Sequence, residues 1–323
     1  KMTENDNINA AEPAKATVHT WLRLMRLPTV FTALTNVLCG FIVSSSERSL
    51  PDILALKHFW MLLASSAGLY LGGMVLNDVF DAALDAKERP ERPIPSGRIS
   101  KKSAAVLGGL LMLTGVAAAW LAGFLAETEP VSICIALILA AAVVLYDAVL
   151  KNTGAGPFGM AACRFLNIML GASCAGSWDT VWSGPQVVIA AALAVYVFGV
   201  TWFARNEAGN SSRLALGTGL AIALAGIGIN GWTAWRVMSV HSAAMGAAIA
   251  LCLIAVNVGL RCIRAIQVNQ SMLLQKTVGF MLLNIIFIDA AMVFCMTGSG
   301  RLASLVVILV IPATLMKRVI PMS

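Results

Sequence analysis

Charged residues are scarce in this chain: only 12% of its 323 residues are Asp, Glu, Lys or Arg, whereas 59% are hydrophobic. The mean hydropathy is +0.82, far above what a water-soluble domain of this length tolerates. The apolar residues fall into runs of near-bilayer length, which predict membrane-spanning helices. The composition therefore excludes a soluble protein and indicates a polytopic membrane protein.

Metal-binding and nucleotide-binding signatures are also missing. The seven cysteines stand singly, and the three histidines are scattered near predicted helix ends. Without a Cys-x-x-Cys pair or a Cys–His spacing, the sequence predicts neither a zinc site nor disulfides. It contains no phosphate-loop spacing ending in Gly-Lys-Ser/Thr, and no basic run interleaved with aromatic residues, so nucleic-acid binding is not indicated.

The apolar runs predict an all-α bundle of nine transmembrane helices plus a short tenth. They lie near residues 27–45, 58–78, 103–125, 130–149, 157–174, 186–204, 214–235, 242–260, 277–296 and 302–316. Residues 1–16 are polar and are interpreted as a disordered cytoplasmic tail, not a signal peptide. Residues 17–323 are expected to form a single transmembrane domain.

The basic residues predict the orientation. With the N-terminus inside, only four of the 23 lysines and arginines fall in outer loops, namely Arg48, Lys57, Arg236 and Arg301. The other 19 lie on the inner side, so the N-terminus and the inner loops are expected in the cytoplasm, as in a bacterial-type inner membrane. The net charge of +7 then reflects topology and attraction to anionic lipid and substrate.

The most informative stretch is Leu71 to Ser100, LGGMVLNDVFDAALDAKERPERPIPSGRIS. Asp78, Asp81 and Asp85 follow one another at helical intervals, which place three carboxylates on one face. Such carboxylates repel one another unless a cation lies among them, and Mg²⁺ prefers oxygen ligands. The stretch therefore predicts a magnesium site, with Asn77 assisting.

A Pro-rich loop with several basic residues follows these carboxylates, and arginine is well suited to bidentate contact with phosphate. The basic residues are Lys87, Arg89, Arg92 and Arg98. Carboxylates for Mg²⁺ beside cations for phosphate indicate a diphosphate bound at the bilayer surface. The alternative is a solvated helix end followed by an ordinary positive cytoplasmic loop.

Polar residues at other predicted inner helix ends could join this site. Arg26 is either an interfacial anchor or reaches the diphosphate from the side. Tyr146, Asp147 and Lys151 close the fourth span, where Lys151 is either a positive-inside residue or a phosphate contact.

Two predicted spans contain charges that are expensive in a bilayer. Arg164, followed by Asn167, lies within the fifth span and is expected to face a cavity or a partner. Asp289 lies deep in a later span and is either functional or held by a structural hydrogen bond to Asn284 or another helix.

A second polar segment, TWFARNEAGNSSR, closes the sixth span. After Arg205 it brings Asn206, Glu207 and Asn210 onto one helical face, which can present oxygen ligands. This segment is poorer in carboxylate than the first.

The segment NDVFDAALD followed by RPIPSGRIS resembles the first signature of the UbiA family of intramembrane prenyltransferases, NDxxDxxxD and then RPxxSGxIS. The resemblance extends to the Arg-Leu-Pro segment at Arg26, the Tyr146–Lys151 region and the end of the sixth span. It implies a bundle of usually nine transmembrane helices around a cavity open laterally to lipid. It also implies Mg²⁺-dependent binding of a polyprenyl diphosphate and transfer of the prenyl group to a small acceptor, aromatic or a secondary metabolite.

The second family signature is normally a DxxxD-type cluster that holds a second Mg²⁺. Here RNEAGNSSR leaves Glu207 as its only acid, a variant that resembles the UbiA-like EboC branch. The resemblance implies that Asn77, Asp78, Asp81 and Asp85 are catalytic, and that Asp78, Asp81, Asp85 and Glu207 bind metal. The residues expected to contact the diphosphate are Arg26, Lys87, Arg92, Tyr146, Lys151, Arg164, Asn167, Arg205, Asn206 and Asn210.

Two other classes of protein fit the same pattern. A non-catalytic prenyl-lipid binder is compatible with the weakened second signature, and a transporter could use Asp289 and Arg164 along a pathway. A transporter predicts inverted repeats, and the sequence contains no convincing internal repeat. The acceptor, the prenyl chain length and the oligomeric state are not fixed by the sequence.

Overall fold

The computed structural model describes residues 17–47, 49–128, 130–205, 212–239 and 242–319. Within these residues the chain forms fifteen α-helices: α1 Val18–Leu24, α2 Phe31–Ser44, α3 Leu50–Ala55, α4 Lys57–Phe80, α5 Ala82–Glu88, α6 Lys101–Leu125, α7 Val131–Ala148, α8 Gly156–Ala172, α9 Trp178–Ser183, α10 Pro185–Arg205, α11 Arg213–Val237, α12 Ala243–Val268, α13 Ser271–Thr297, α14 Gly300–Val307 and α15 Val310–Val319. Short 3₁₀ turns at Leu27–Thr29 and Leu150–Asn152 precede α2 and α8. The all-α prediction is confirmed.

Eight helices of the described residues are long and apolar enough to cross a membrane. They are α2 with the turn before it, α4, α6, α7, α10, α11, α12 and α13. The predicted fifth span corresponds to α8, which has only 17 residues and packs inside the bundle against α2, α7 and α10. The predicted number of nine long spans therefore differs from the eight found by length and composition.

The predicted short tenth span is formed by α14 and α15. Gly300 and Arg301 border Leu50, which follows the end of α2, whereas α15 packs against the Leu27–Thr29 turn before the start of α2. The two short helices together therefore run from one end of the bundle to the other.

Helices α2 and α8 cross in close backbone contact. A Cβ atom on Gly40 would lie 2.0 Å from the Ile168 carbonyl oxygen, and one on Gly171 would lie 2.2 Å from the Val37 carbonyl oxygen. Glycine is required at both positions because any side chain would push the two backbones apart, as at other close helix crossings in membranes. This crossing brings the polar residues of α8 against α2.

Large apolar side chains cover the outer helices. Leu113 and Trp120 of α6 and Leu253 and Leu260 of α12 are more than half exposed. A surface of this kind is unfavourable in water but is expected where helices face lipid, since lipid chains are as apolar as the side chains.

The loops predicted on the inner side lie at one end of the bundle. The Arg205 guanidinium donates to the Thr153 carbonyl oxygen at 2.5 Å, which joins the end of α10 to the loop between α7 and α8. The Arg213 guanidinium donates to the Gln267 carbonyl oxygen at 3.3 Å, which joins α11 to the end of α12. The Asp78 segment lies at this same end, as the contacts below establish, so we call it the site end.

Candidate functional site

A break between two helices carries the three predicted carboxylates. Helix α4 ends at Phe80, α5 begins at Ala82, and Asp81 lies between them. The Asp81 and Asp85 backbone N–H groups still donate to carbonyls four residues earlier, at 3.0 and 2.8 Å, so the helical path continues through the break. Asp78 and Asp85 are buried, whereas the Asp81 side chain is 20% exposed.

Two arginines pair with the buried carboxylates. Arg26 Nη2 lies 2.7 Å from Asp78 Oδ1. Arg92 Nη1 lies 2.7 Å from Asp85 Oδ2 and 3.7 Å from Asp78 Oδ1. One guanidinium nitrogen thus lies between two carboxylates, a position at which positive charge is stabilised.

The third carboxylate faces a different cation. Lys151 Nζ lies 2.7 Å from Asp81 Oδ1 and donates to Asn77 Oδ1 at the same distance. The link joins α4 to the turn after α7, so the carboxylate stretch and the Tyr146–Lys151 region form one site.

We call the residues joined by these contacts the mouth: Asn77, Asp78, Asp81, Asp85, Arg26, Arg92 and Lys151. Their positive and negative charges balance. Three carboxylates face three cations, each pair at 2.7 Å. The carboxylates are distributed among their basic partners, and among the described residues no three Asp, Glu, His or Cys side chains lie close enough to hold a metal ion. The mouth therefore combines oxygen donors with phosphate-binding cations, paired with one another.

Local backbone structure positions both arginines. Arg26 adopts a left-handed conformation with φ of 47°, between α1 and the Leu27–Thr29 turn, a conformation that costs about 1–2 kcal/mol for a residue with a side chain. In the loop after α5, the Ile99 N–H donates to the Pro93 carbonyl oxygen at 3.0 Å, and Ile94 and Ile99 pack beside Leu24. This packed loop buries Arg92, which is 5% exposed.

An apolar cavity lies next to the mouth, between α2, α4, α7 and α8. It contains about 530 Å³ of space not occupied by atoms, including space open to its surroundings. Its walls include Tyr70, Gly73, Met74, Leu139, Val143, Tyr146, Asp147, Cys163, Arg164 and Asn167. The walls are largely apolar, which suits contact with a hydrocarbon chain whose polar end stays at the mouth.

The predicted polar residues of α8 line this cavity but are bound to α2. The Arg164 guanidinium donates to the Thr32 carbonyl oxygen at 2.9 Å and to Asn36 Oδ1 at 3.0 Å. Asn167 Nδ2 donates to the Ala33 carbonyl oxygen at 2.8 Å. Both side chains thus fix the wall of the cavity.

The membrane acid Asp289 belongs to the same buried network. Asn36 Nδ2 donates to Asp289 Oδ2 at 2.7 Å, so Asn36 joins the carboxylate of α13 to the Arg164 guanidinium of α8. The sequence left open whether Asn284 or another helix would hold Asp289 by a structural hydrogen bond, and the partner is Asn36 of α2. Asn284 instead donates to the Phe280 carbonyl oxygen of its own helix.

Other predicted site residues lie outside the mouth. Lys87 is exposed on α5, and Arg98 donates to Ser96 Oγ and to the Glu91 carbonyl oxygen within its own loop. Arg205 is exposed and bonded to Thr153, at the edge of the site end. Asn206, Glu207 and Asn210 lie outside the described residues.

Asp147 also lines the cavity, although the sequence placed it only at an inner helix end and not among the expected diphosphate contacts. Asp147 is 3% exposed and lines the cavity beside Tyr146. The signal in the sequence was an acid at the last turn of an apolar run, four residues before Lys151.

The fold and the mouth define a class of protein: a polytopic helical membrane protein with a charge-paired polar mouth beside an apolar cavity. Residues 33–284 match the sequence model of the UbiA prenyltransferase family, which is well over half of the chain. The chain belongs to the UbiA prenyltransferase family.

Two relatives are digeranylgeranylglyceryl phosphate synthases. The chain is 41% identical over 107 residues to the one from Methanoregula boonei, which covers 33% of this chain and 36% of that protein. It is 36% identical over 135 residues to the one from Saccharolobus solfataricus, which covers 42% of this chain and 44% of that protein. The chain thus spans less than half the length of these two relatives.

Solved structures share the fold. A structure described as giving mechanistic insights into digeranylgeranylglyceryl phosphate synthase in membranes covers 87% of this chain and 98% of its own, with a TM-score of 0.61 and 17% identity. A UbiA homologue from Archaeoglobus fulgidus bound to DMAPP and Mg²⁺ covers 81% of this chain and 99% of its own, with a TM-score of 0.55 and 14% identity.

Proposed function

We propose that this protein is an intramembrane prenyltransferase that binds a polyprenyl diphosphate through Mg²⁺ and transfers the prenyl group to an acceptor. The observation that carries the proposal is the mouth, where each of three carboxylates is paired with a cation beside an apolar cavity. Membership of the UbiA prenyltransferase family and the DMAPP and Mg²⁺ bound by the Archaeoglobus homologue support it.

The oxygen donors of the mouth are of the kind that Mg²⁺ prefers, but they must leave their basic partners and draw together to hold it. Asp78, Asp81, Asp85 and Asn77 supply hard oxygen ligands, and Arg92 already places a positive charge between Asp78 and Asp85. In our proposal these four residues hold the metal. When bound, Mg²⁺ supplies Lewis-acid stabilisation of the charge that grows on the leaving diphosphate.

In this proposal the cations of the mouth bind the diphosphate of the donor. Arg26, Arg92 and Lys151 exchange their carboxylate partners for phosphate oxygens, so no buried charge is left alone when donor and metal bind together. Arg26 and Arg92 offer planar guanidinium groups suited to phosphate. The cavity walls enclose the prenyl chain and keep water from the reacting carbon.

We also propose that the acceptor is a lipid that carries a hydroxyl group. The two relatives above are named for a product with two geranylgeranyl groups on glyceryl phosphate, which favours a lipid hydroxyl acceptor over an aromatic one. Geranylgeranyl diphosphate and geranylgeranylglyceryl phosphate are therefore the first donor and acceptor to test.

The test is diphosphate release by the purified protein with and without Mg²⁺, from geranyl, farnesyl and geranylgeranyl diphosphate. We expect Mg²⁺-dependent release that is lost in Asp78→Ala and retained in Asp52→Asn, a charge-matched control at the opposite end of the bundle.

Two outcomes would change the assignment. Tight donor binding without release, with a broad range of acceptors, would indicate a prenyl-lipid binder. The absence of both donor binding and diphosphate release would contradict the proposed function and would favour a transporter. Asp289, which the transporter hypothesis uses, is bonded to Asn36 within the helix packing.

A further inference from the structure

A buried carboxylate in the cavity is not used by the mouth. Asp147 is 3% exposed and lines the cavity. Among the residues that the structure describes, none forms a hydrogen bond or an ion pair with its carboxylate. Lys151, the cation of the mouth nearest to Asp147 in the sequence, is paired with Asp81 and Asn77. Retaining a buried carboxylate in an apolar wall without a bonding partner is costly, which indicates that a ligand supplies the partner.

The position of Asp147 relative to the mouth follows from two parallel helices. On α4, Gly73 precedes Asn77 by four residues, which places it about one helical turn or 5.4 Å deeper in the cavity than the mouth. Asp147 lies in the last turn of α7, before the 3₁₀ turn that carries Lys151, and a Cβ atom on Gly73 would lie 3.8 Å from Asp147 Oδ2, so Asp147 lies beside Gly73 in this deeper layer.

Space beside this carboxylate is kept open by glycine. A Cβ atom on Gly73 would lie 3.8 Å from Asp147 Oδ2 and only 2.6 Å from Val143 Cγ1. A side chain at position 73 would therefore crowd the face of the cavity on which the carboxylate lies.

We propose that Asp147 is the catalytic residue that binds the hydroxyl group of the acceptor and takes its proton. This inference rests on the proposed function. A diphosphate held at the mouth puts its first prenyl carbon in the adjacent layer of the cavity, where Asp147 and the open space beside Gly73 lie.

The bond changes balance. The bond between the first prenyl carbon and the diphosphate oxygen breaks, and its electron pair leaves with the diphosphate. The acceptor oxygen uses a lone pair to form a new carbon–oxygen bond to the same carbon, and the hydroxyl proton moves to the Asp147 carboxylate. No oxidant or reductant is needed.

The experiment compares wild type, Asp147→Asn and Asp179→Asn in lipid nanodiscs. Asp179 is exposed on α9 at the opposite end of the bundle, so its variant removes the same charge away from the cavity. Geranylgeranyl diphosphate with Mg²⁺ is the donor, and geranylgeranylglyceryl phosphate and 4-methylphenol are the hydroxyl acceptors. Donor affinity, transfer to each acceptor and the melting temperature are measured.

For Asp147→Asn we expect transfer to fall by about 100-fold or more, the usual effect of losing a general base. Donor affinity should stay within about two-fold of wild type, and the melting temperature should rise because an unbonded buried charge is removed. Asp147→Glu should restore part of the transfer, and Asp179→Asn should match wild type throughout.

Three results would overturn the proposal. Transfer by Asp147→Asn within two-fold of wild type would show that the carboxylate takes no proton. If Asp147→Asn lost both donor affinity and transfer, Asp147 would belong to the donor site. Donor binding by wild type without transfer to either hydroxyl acceptor would contradict the acceptor chemistry, whereas failure of wild type to bind the donor would contradict the proposed function itself.

Discussion

The ion pair between Arg92 and Asp85 gives the sharpest test of how the mouth is held together. The two side chains are 6% and 5% exposed, and Arg92 Nη1 lies 2.7 Å from Asp85 Oδ2. With an effective dielectric constant of about 20, the Coulomb attraction at this distance is about 6 kcal/mol, part of which offsets desolvation. Removing one partner of a buried pair costs about 3–5 kcal/mol, because the other charge stays buried alone.

We therefore expect Arg92→Met to lower the free energy of unfolding by about 3 kcal/mol, at the lower end of that range because Arg26 still pairs with Asp78. Equilibrium unfolding by SDS in mixed micelles measures this change. The exposed Arg89 offers a matched control in the same loop, and Arg89→Met should stay within about 0.5 kcal/mol of wild type.

A double-mutant cycle isolates the pair itself. Asp85→Asn in the Arg92→Met background should cost much less than in wild type, with a coupling energy of about 2 kcal/mol. A coupling energy below about 0.5 kcal/mol would refute the reasoning, because it would mean that the two buried groups do not depend on each other.

Three further predictions concern packing, the buried network and the mouth. Gly171→Ala should lower the melting temperature sharply because the added Cβ meets a backbone carbonyl of α2 at 2.2 Å, whereas Gly228→Ala, with open space around it, should not. Asn36→Leu should cost about 3 kcal/mol in SDS unfolding, since it strips a buried carboxylate and a buried guanidinium of their shared partner; no change would contradict that network. Lys151→Met should weaken binding of geranylgeranyl diphosphate about ten-fold or more in a filter-binding assay, and unchanged affinity would exclude the ammonium group from the phosphate site.

The sequence was sufficient for the features that depend on local periodicity. The apolar runs predicted the long helices, and the polar residues after Leu76 predicted the polar helix end. The spacing of Asp78, Asp81 and Asp85 did not predict that each carboxylate pairs with its own cation instead of grouping around a common point. The start of α6 is equally local, since the Ser100 hydroxyl caps it by accepting a hydrogen bond from the Ser103 N–H at 3.0 Å.

Contacts between distant segments could not be predicted in the same way. Arg26 meets Asp78 across 52 residues, and Asn36 meets Asp289 across 253 residues, so both contacts depend on the completed helix packing. The pairing of each carboxylate with its own cation likewise depends on the folded loop that buries Arg92.

The apolar run of the predicted fifth span did not reveal that its helix, α8, packs inside the bundle. Helix α8 has only 17 residues, yet it packs against α2, α7 and α10, and its Arg164 and Asn167 bond to α2. Asp147 was seen in the sequence as part of an inner helix end. Its unbonded position in the cavity wall became evident only from the packing of α4 against α7.

The central claim is that donor and metal bind together by exchanging the ion pairs of the mouth. Isothermal titration of geranylgeranyl diphosphate into the protein, with and without Mg²⁺, tests it most directly. We expect affinity to rise by about 100-fold with Mg²⁺, equivalent to a coupling of nearly 3 kcal/mol, and this dependence to be lost in Asp81→Asn. Equal affinity with and without Mg²⁺ in the wild type would contradict the account.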